Sequence, residues 1–277
     1  PSERGLGDAD VGWLTGIVLL PWTFKIVWAP VIDTLTIRSM GRRRPWIIGA
    51  ELMMAVSLLG ILWLGDFSQQ FGDSSQGASA ASQFVYLLGC MFFAHNCFAS
   101  LQDVCTDALA VDVLPPSEQG RVNGLMWGSK LLGKAFGAVV MAMVMSMGDA
   151  YRPGWGIPAA VVVQFVLLLG IMMFPMFMVE RPGEKRFPWS EGQAHGAENV
   201  SSVRNPMLML RDVFRGFSVV TTFVFFVYGL CHVVGWGIVE VITKTLYTQQ
   251  LGWTFQQFSY VTGFAVLTEL FGALCGG

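Results

Sequence analysis

The stretch GIPAAVVVQFVLLLGIMMFPMFMV, residues 156–179, runs for 24 residues without one charged side chain. Coiled as an α-helix at about 1.5 Å per residue, it reaches about 36 Å, enough to cross a hydrocarbon core of ~30 Å. The same pattern recurs on both sides of it. Candidate spans fall at about 11–33, 46–65, 83–110, 121–147, 156–179, 213–246 and 254–277. Only helices and closed barrels satisfy the backbone in lipid, and runs of this length are helical. The expected fold class is therefore all-α, a polytopic membrane protein with about seven transmembrane helices. Composition agrees. Of 277 residues, 53% are hydrophobic and 13% charged, against roughly a quarter charged in soluble domains. A net charge of -2 gives no electrostatic footprint for nucleic acid. Trp13, Trp46, Trp63, Trp155 and Trp253 lie near span ends, where indoles favour the membrane interface.

Sidedness follows from Lys and Arg. The 34–45 loop carries Arg38, Arg42, Arg43 and Arg44, the 111–121 loop ends in Arg121, and the 180–215 segment adds six more basic residues. The other side has Arg4 and Arg152, and none occurs from Asp66 to Gln83. The 34–45, 111–121 and 181–212 loops are expected to be cytoplasmic, in the inner membrane if the source is bacterial. Pro182, Pro188 and Pro206 mark the long segment as a linker. The expected organisation is an N-terminal bundle over 1–180, a linker over 181–212, and the start of a C-terminal bundle over 213–277. Asn199-Val200-Ser201 matches a glycosylation sequon by chance on that side.

Charges inside spans come next. Each costs about 2.5–3.5 kcal/mol at mid-bilayer, so such groups pair or face an aqueous pathway. Lys25, Lys130, Lys134 and Lys244 lie within spans, with Glu51, Asp103, Asp107, Glu240 and Glu269. Asn96, Ser100, Asp103 and Asp107 are spaced 4, 3 and 4 apart, one polar stripe on a helix. Asn123, Trp127, Lys130 and Lys134 repeat that spacing on the next helix, across a turn at Pro115-Pro116. Counting outward from the turn predicts an Asp103–Lys130 pair, either in the pathway or simply holding the hairpin. Asp107 sits nearer the mouth. Lys25 has no acid close on its own helix, so it needs a partner from elsewhere or an anionic ligand. Glu240 and Lys244, one turn apart, are expected to pair for structure or gating. Glu269 is a candidate proton-titrating group. Glu51, near the arginines, is expected to pair with them. His95 and His232 read as packing residues. Cys90, Cys97, Cys105, Cys231 and Cys275 form no metal-ligand spacing. Walker A, HExxH and GxSxG motifs are absent, so no ATPase or hydrolase chemistry is expected.

Asp33, then Gly41-Arg42-Arg43-Arg44 after seven residues, resembles the loop joining the second and third helices of major facilitator superfamily transporters. Leu20-Pro21-Trp22-Thr23-Phe24-Lys25 and Trp28-Ala29-Pro30-Val31-Ile32-Asp33 resemble the second helix of the AmpG-like permease and acetyl-CoA-transporter-like branch. Gln102-Asp103-Val104-Cys105-Thr106-Asp107-Ala108 is similar to that branch's QDxxxDA stretch, and Gly128-Ser129-Lys130-Leu131-Leu132-Gly133 to its Gly-x-Arg-x-x-Gly, with Lys for Arg. Gly272 to Gly277 also fits. The resemblance implies a major-facilitator-type bundle holding the second to eighth of twelve helices. The chain opens on Pro1 and stops at Gly277 directly after an apolar run, which is expected of a piece of a longer protein.

The resemblance implies proton-coupled transport by alternating access. The expected protein is a symporter of a small polar solute, a monomer in the lipid bilayer with protons as coupling ion and no cofactor or metal. Lys25, Asn96, Asp103, Asp107, Lys130, Lys134, Glu240 and Glu269 are the expected solute and proton pathway. Asp33, Gly41, Arg42, Arg43 and Arg44 form the expected conformational-switch loop. After the linker the sequence reads Tyr228-Gly229-Leu230-Cys231-His232, where many AmpG-like permeases carry a lysine and an aspartate. A sugar, a peptide-derived solute or an organic anion is the expected substrate class. A membrane receptor, or an embedded enzyme using the same polar cavity, is the alternative.

Overall fold

Prolines set where the helices begin. A proline in the first turn removes only a donor that would be unsatisfied anyway. In the computed structural model, which describes residues 8–34, 40–63, 77–193 and 206–276, Pro45, Pro116, Pro158 and Pro206 each stand in the first turn of a helix. The elements are α1 (Asp8–Thr23), a 3-10 turn (Lys25–Val27), α2 (Trp28–Thr34), α3 (Arg44–Trp63), α4 (Gly77–Val113), α5 (Pro116–Tyr151), α6 (Gly156–Phe177), α7 (Pro206–Phe217), α8 (Val220–Thr245), a π-helical turn (Leu246–Gln250) and α9 (Phe255–Gly276). Among the described residues there is no β-strand. Thr254 and Gln257 close a reciprocal capping box at the start of α9: each side chain accepts from the other's backbone N–H.

Among the described residues, five stretches are long and apolar enough to cross a membrane: Gly12–Asp33, Arg44–Leu62, Val85–Val113, Pro116–Tyr151 and Gly156–Phe177. Val220–His232 and Tyr260–Gly272 are shorter apolar helical stretches. The class read from the sequence is the observed one. Two spans differ in detail. The first is broken at Phe24, because Pro21 and Pro30 each remove a backbone donor and leave a tight turn between α1 and α2. The sixth is two helices, a strongly amphipathic α7 and an apolar α8, separated at Ser218 and Val219.

The chain divides into two compact units, Pro1–Pro116 with Val144–Ser202, and Ser117–Met143 with Val203–Gly277. In the first, α3 packs against both α4 and α6, and α1 lies along α4. Met54, Ala55, Leu58 and Ile61 of α3 meet Val161 and Leu168 of α6 in one core. Ile32 of α2, Ile47 and Ala50 of α3, and Leu101 and Cys105 of α4 form the other. Gly89 lets α1 approach α4 closely. A Cβ there would stand 2.5 Å from the Trp13 ring, which stacks on Tyr86. In the second unit, Gly263 of α9 faces the Ala135–Val139 side of α5. Arg4, Arg38, the stretch from Asp66 to Gln76, the sequon at Asn199, Arg204 and Gly277 lie outside the described residues.

Candidate functional site

The polar stripe on α4 is real, and the broken first span reads it rung by rung. Trp22 Nε1 donates to Asn96 Oδ1 at 2.9 Å. Lys25 Nζ lies 3.4 Å from Asp103 Oδ2. Trp28 Nε1 donates to Ser100 Oγ at 2.9 Å. Asn96 and Ser100 are fixed in turn by bonds to the carbonyls of Phe92 and Cys97, one turn back on α4. Lys25 therefore takes its partner from another helix, as expected, and that partner is Asp103. The two tethered indoles lie three residues before and three after Lys25 along the first span. The Lys25 side chain is 46% exposed and that of Asp103 is 12% exposed, so the ammonium is presented outward while its counter-ion is held in the packing. The break at Phe24 places Lys25 in the 3-10 turn rather than in a regular helix. His95 is a packing residue, its Nδ1 within 2.9 Å of Ser57 Oγ and 3.3 Å of the Met54 carbonyl.

The Asp103–Lys130 pair expected from the hairpin count would join residues of the two units. Within its own unit Lys130 stands over the Trp127 ring, 5.5 Å from the centroid. Asn123, Trp127, Lys130 and Lys134 are all exposed along one face of α5, as their spacing predicts. Asp107 is half-buried on α4, and Glu269 is exposed on α9. Glu240 and Lys244 are one turn apart within α8, and their side chains lie outside what is described.

The arginine-rich loop forms a second cluster at the end of α3. Asp33 Oδ1 accepts from Arg42 Nη2 at 2.7 Å and from Arg43 Nη1 at 2.6 Å. Arg43 Nε donates to Asp112 Oδ2, at the end of α4, at 2.9 Å. Burial works against the charge on Arg43, but the Asp112 and Asp33 carboxylates outweigh it and raise the guanidinium pKa above its ordinary value. Glu180, just past α6, caps the N-terminus of α3. Its Oε1 accepts from the backbone N–H of Arg43 and of Arg44, both at 2.6 Å, and its Oε2 from that of Arg42 at 2.8 Å. A carboxylate on three orphan amides at the positive end of a helix dipole is a strong cap. Gly41 makes room for it. Its φ is +97° and a Cβ there would lie 2.7 Å from the Glu180 carboxyl. Arg44 is fully buried and donates to the carbonyls of Pro175 and Arg186 at 2.9 Å, Met176 at 3.1 Å, Met40 at 3.2 Å and Lys185 at 3.4 Å. One side chain thus ties the start of α3 to the end of α6 and the segment after it.

Sequence alone does not single out Asp112, Glu180 or the bonding of Trp22 and Trp28. Glu180 carries no local signal, because its partners lie 136 to 138 residues away. Among the described residues, Glu51, expected to serve the arginines, does not. Asp33, Asp112 and Glu180 do so, while Glu51 is buried on α3 and meets Gln102 instead.

Long apolar helices and paired intramembrane charges define a polytopic helical membrane protein with an acid-and-arginine latch at one end of its bundle. The Major Facilitator Superfamily profile matches residues 2–277, and the chain belongs to that superfamily. It is 27% identical over 135 residues to the anhydromuropeptide permease of Escherichia coli K12, covering 48% of this chain and 23% of that protein. It is 29% identical over 122 residues to an uncharacterized protein of Haemophilus influenzae, covering 44% and 25%. It is also 26% identical over 98 residues to an uncharacterized protein of Schizosaccharomyces pombe, covering 35% and 17%. The matched segments thus span a quarter or less of these relatives' lengths. No solved structure matches the chain.

Proposed function

We propose that this chain is part of a secondary active transporter that carries a small polar solute, sugar- or peptide-derived or an organic anion, together with protons by alternating access. The observation that carries the reading is the Lys25–Asp103 pair. A partly exposed ammonium stands on a broken helix, and the indoles three residues before and after it in sequence are pinned to Asn96 and Ser100. Irregular backbone at membrane depth is tolerated where it lines a cavity or is buried in protein, and broken helices are where transporters of this kind place their ligands. An anionic solute group can take the lysine from Asp103, leaving a carboxylate to be neutralised. That exchange links solute to proton. Lys130 and Lys134, on their exposed face of α5, are assigned to the solute path, and Asp107, Glu240 and Glu269 to proton or solute movement. The latch of Asp33, Gly41, Arg42, Arg43 and Arg44 with Asp112 and Glu180 is assigned to the conformational switch, on the cytoplasmic side of the inner membrane if the source is bacterial.

The likeness to the anhydromuropeptide permease makes an anhydromuropeptide the first solute to test, beside simple sugars, short peptides and organic anions. The intact protein in proteoliposomes with an imposed inward-acid or outward-acid gradient should accumulate one member of this set. No gradient-dependent movement of any of them, compared with empty liposomes, contradicts the reading.

A further inference from the structure

Glu51 stands where an apolar residue would be expected. The α3 face that carries Ile47, Met54, Ala55 and Leu58 is buried throughout, and Glu51 falls in register with it at 2% exposure. It lies seven residues into the span, about 10 Å from Arg44 along the helix. Gln102 Nε2 is 3.4 Å from Oε1. Oε2 has no hydrogen-bond partner among the described residues. A buried polar atom without a partner is rare enough to require a reason.

The neighbouring charges are engaged elsewhere. On the same helix, Arg43 serves Asp33 and Asp112, and Arg44 serves backbone carbonyls. The helix α6, which also packs against α3, carries no titratable residue along its length. From α4 come Asp103, held by Lys25, Asp107, His95 bonded to Ser57, and the thiols of Cys97 and Cys105. From the first span come Lys25 and Asp33, both in the pairs already named. An ionised carboxylate in this position lacks a cation among the described residues, and burying a lone ion costs several kcal/mol. A proton on Oε2 is the smallest cation that removes the charge, and the open oxygen is where it would bind.

We propose that Glu51 is a proton-binding site of this transporter, linked through Gln102 to the Lys25–Asp103 pair. Gln102 and Asp103 are adjacent on α4, so successive side chains point about 100° apart. One meets α3 and the other meets the first span. A shift of α4 on solute binding disturbs both contacts together. The step is proton uptake by the Oε2 lone pair and its later release to water, with no other bond made or broken. The proposal rests on the coupled-transport reading, but its test does not depend on knowing the solute.

The intact protein in proteoliposomes, stepped in pH, should show the carbonyl stretch of a buried protonated carboxyl by difference infrared spectroscopy. In Glu51→Gln that band should be lost, and in Glu51→Asp it should be shifted. Persistence of the band in Glu51→Gln overturns the proposal. With anhydromuropeptide as probe, Glu51→Gln should lose accumulation driven by a pH gradient and keep equilibrating exchange. Full gradient-driven accumulation by Glu51→Gln also overturns it. Should the wild type move no anhydromuropeptide at all, that solute assignment fails, while the infrared band still decides Glu51. If Glu51→Gln does not fold, the shift in Glu51→Asp decides instead.

Discussion

Replacing Arg44 with Ala is the most severe single change expected at the latch, and the structure sets its size. The guanidinium is fully buried and donates to five carbonyls, three of them within 3.1 Å. Its removal leaves carbonyls at the end of α6 and the segment beyond it without partners, each worth about 1–3 kcal/mol where water cannot reach. It also opens the space the side chain filled. Losing one partner of a buried charged network costs about 3–5 kcal/mol in comparable cases, and the same total is expected for Arg44. At roughly 2–4 °C per kcal/mol, the melting temperature in detergent should fall by roughly 6–20 °C. Arg44→Lys should recover only part of this, because one ammonium cannot span a fork of five acceptors.

The control is Arg42→Ala. Arg42 is 38% exposed and shares Asp33 with Arg43, so its loss should cost about 0–1 kcal/mol. Thermal unfolding followed by the fluorescence of a thiol-reactive dye gives both shifts in one experiment, since Cys105 is buried and becomes accessible on unfolding. If Arg44→Ala melts no lower than Arg42→Ala, the claim that Arg44 ties α3 to α6 is wrong.

Further outcomes follow from the same contacts. Glu180→Gln should lower stability by about 1–2 kcal/mol, the worth of a charged cap at a helix N-terminus, measured in the same melt. Gly41→Ala should cost a similar amount, since it places a Cβ at positive φ and against the Glu180 carboxyl. Trp28→Phe removes the bond to Ser100 and should lose about 1 kcal/mol while retaining insertion. Asp103→Asn should abolish solute uptake with little change in melting temperature, because the amide still fills the space beside Lys25.

Much of this is legible along the chain, for reasons that mark where legibility stops. Helical periodicity is local, so the stripe Asn96, Ser100, Asp103 and Asp107, and the face carrying Lys130 and Lys134, can be read by counting. Apolar length is also local: of the seven spans read from it, five correspond to helical stretches long and apolar enough to cross among the described residues, with ends shifted by a few residues. Pairing between helices depends on rotation and register that no single helix encodes. Lys25 visibly needs a partner, yet nothing in its own span says Asp103 rather than another acid. Glu51 looks like a neighbour of the arginines because it is near them in sequence. On the helix it lies two turns further in, facing Gln102. The break at Phe24 is signalled by Pro21 and Pro30, but a continuous apolar run hides it.

The most direct measurement is uptake by the intact protein in proteoliposomes under an imposed pH gradient, comparing wild type with Lys25→Ala. The solutes are an anhydromuropeptide and the sugar, peptide and organic-anion set. The account predicts gradient-driven accumulation of one solute by the wild type and none by Lys25→Ala, with both proteins inserted and melting alike. Equal accumulation by Lys25→Ala would remove the Lys25–Asp103 pair from the solute site.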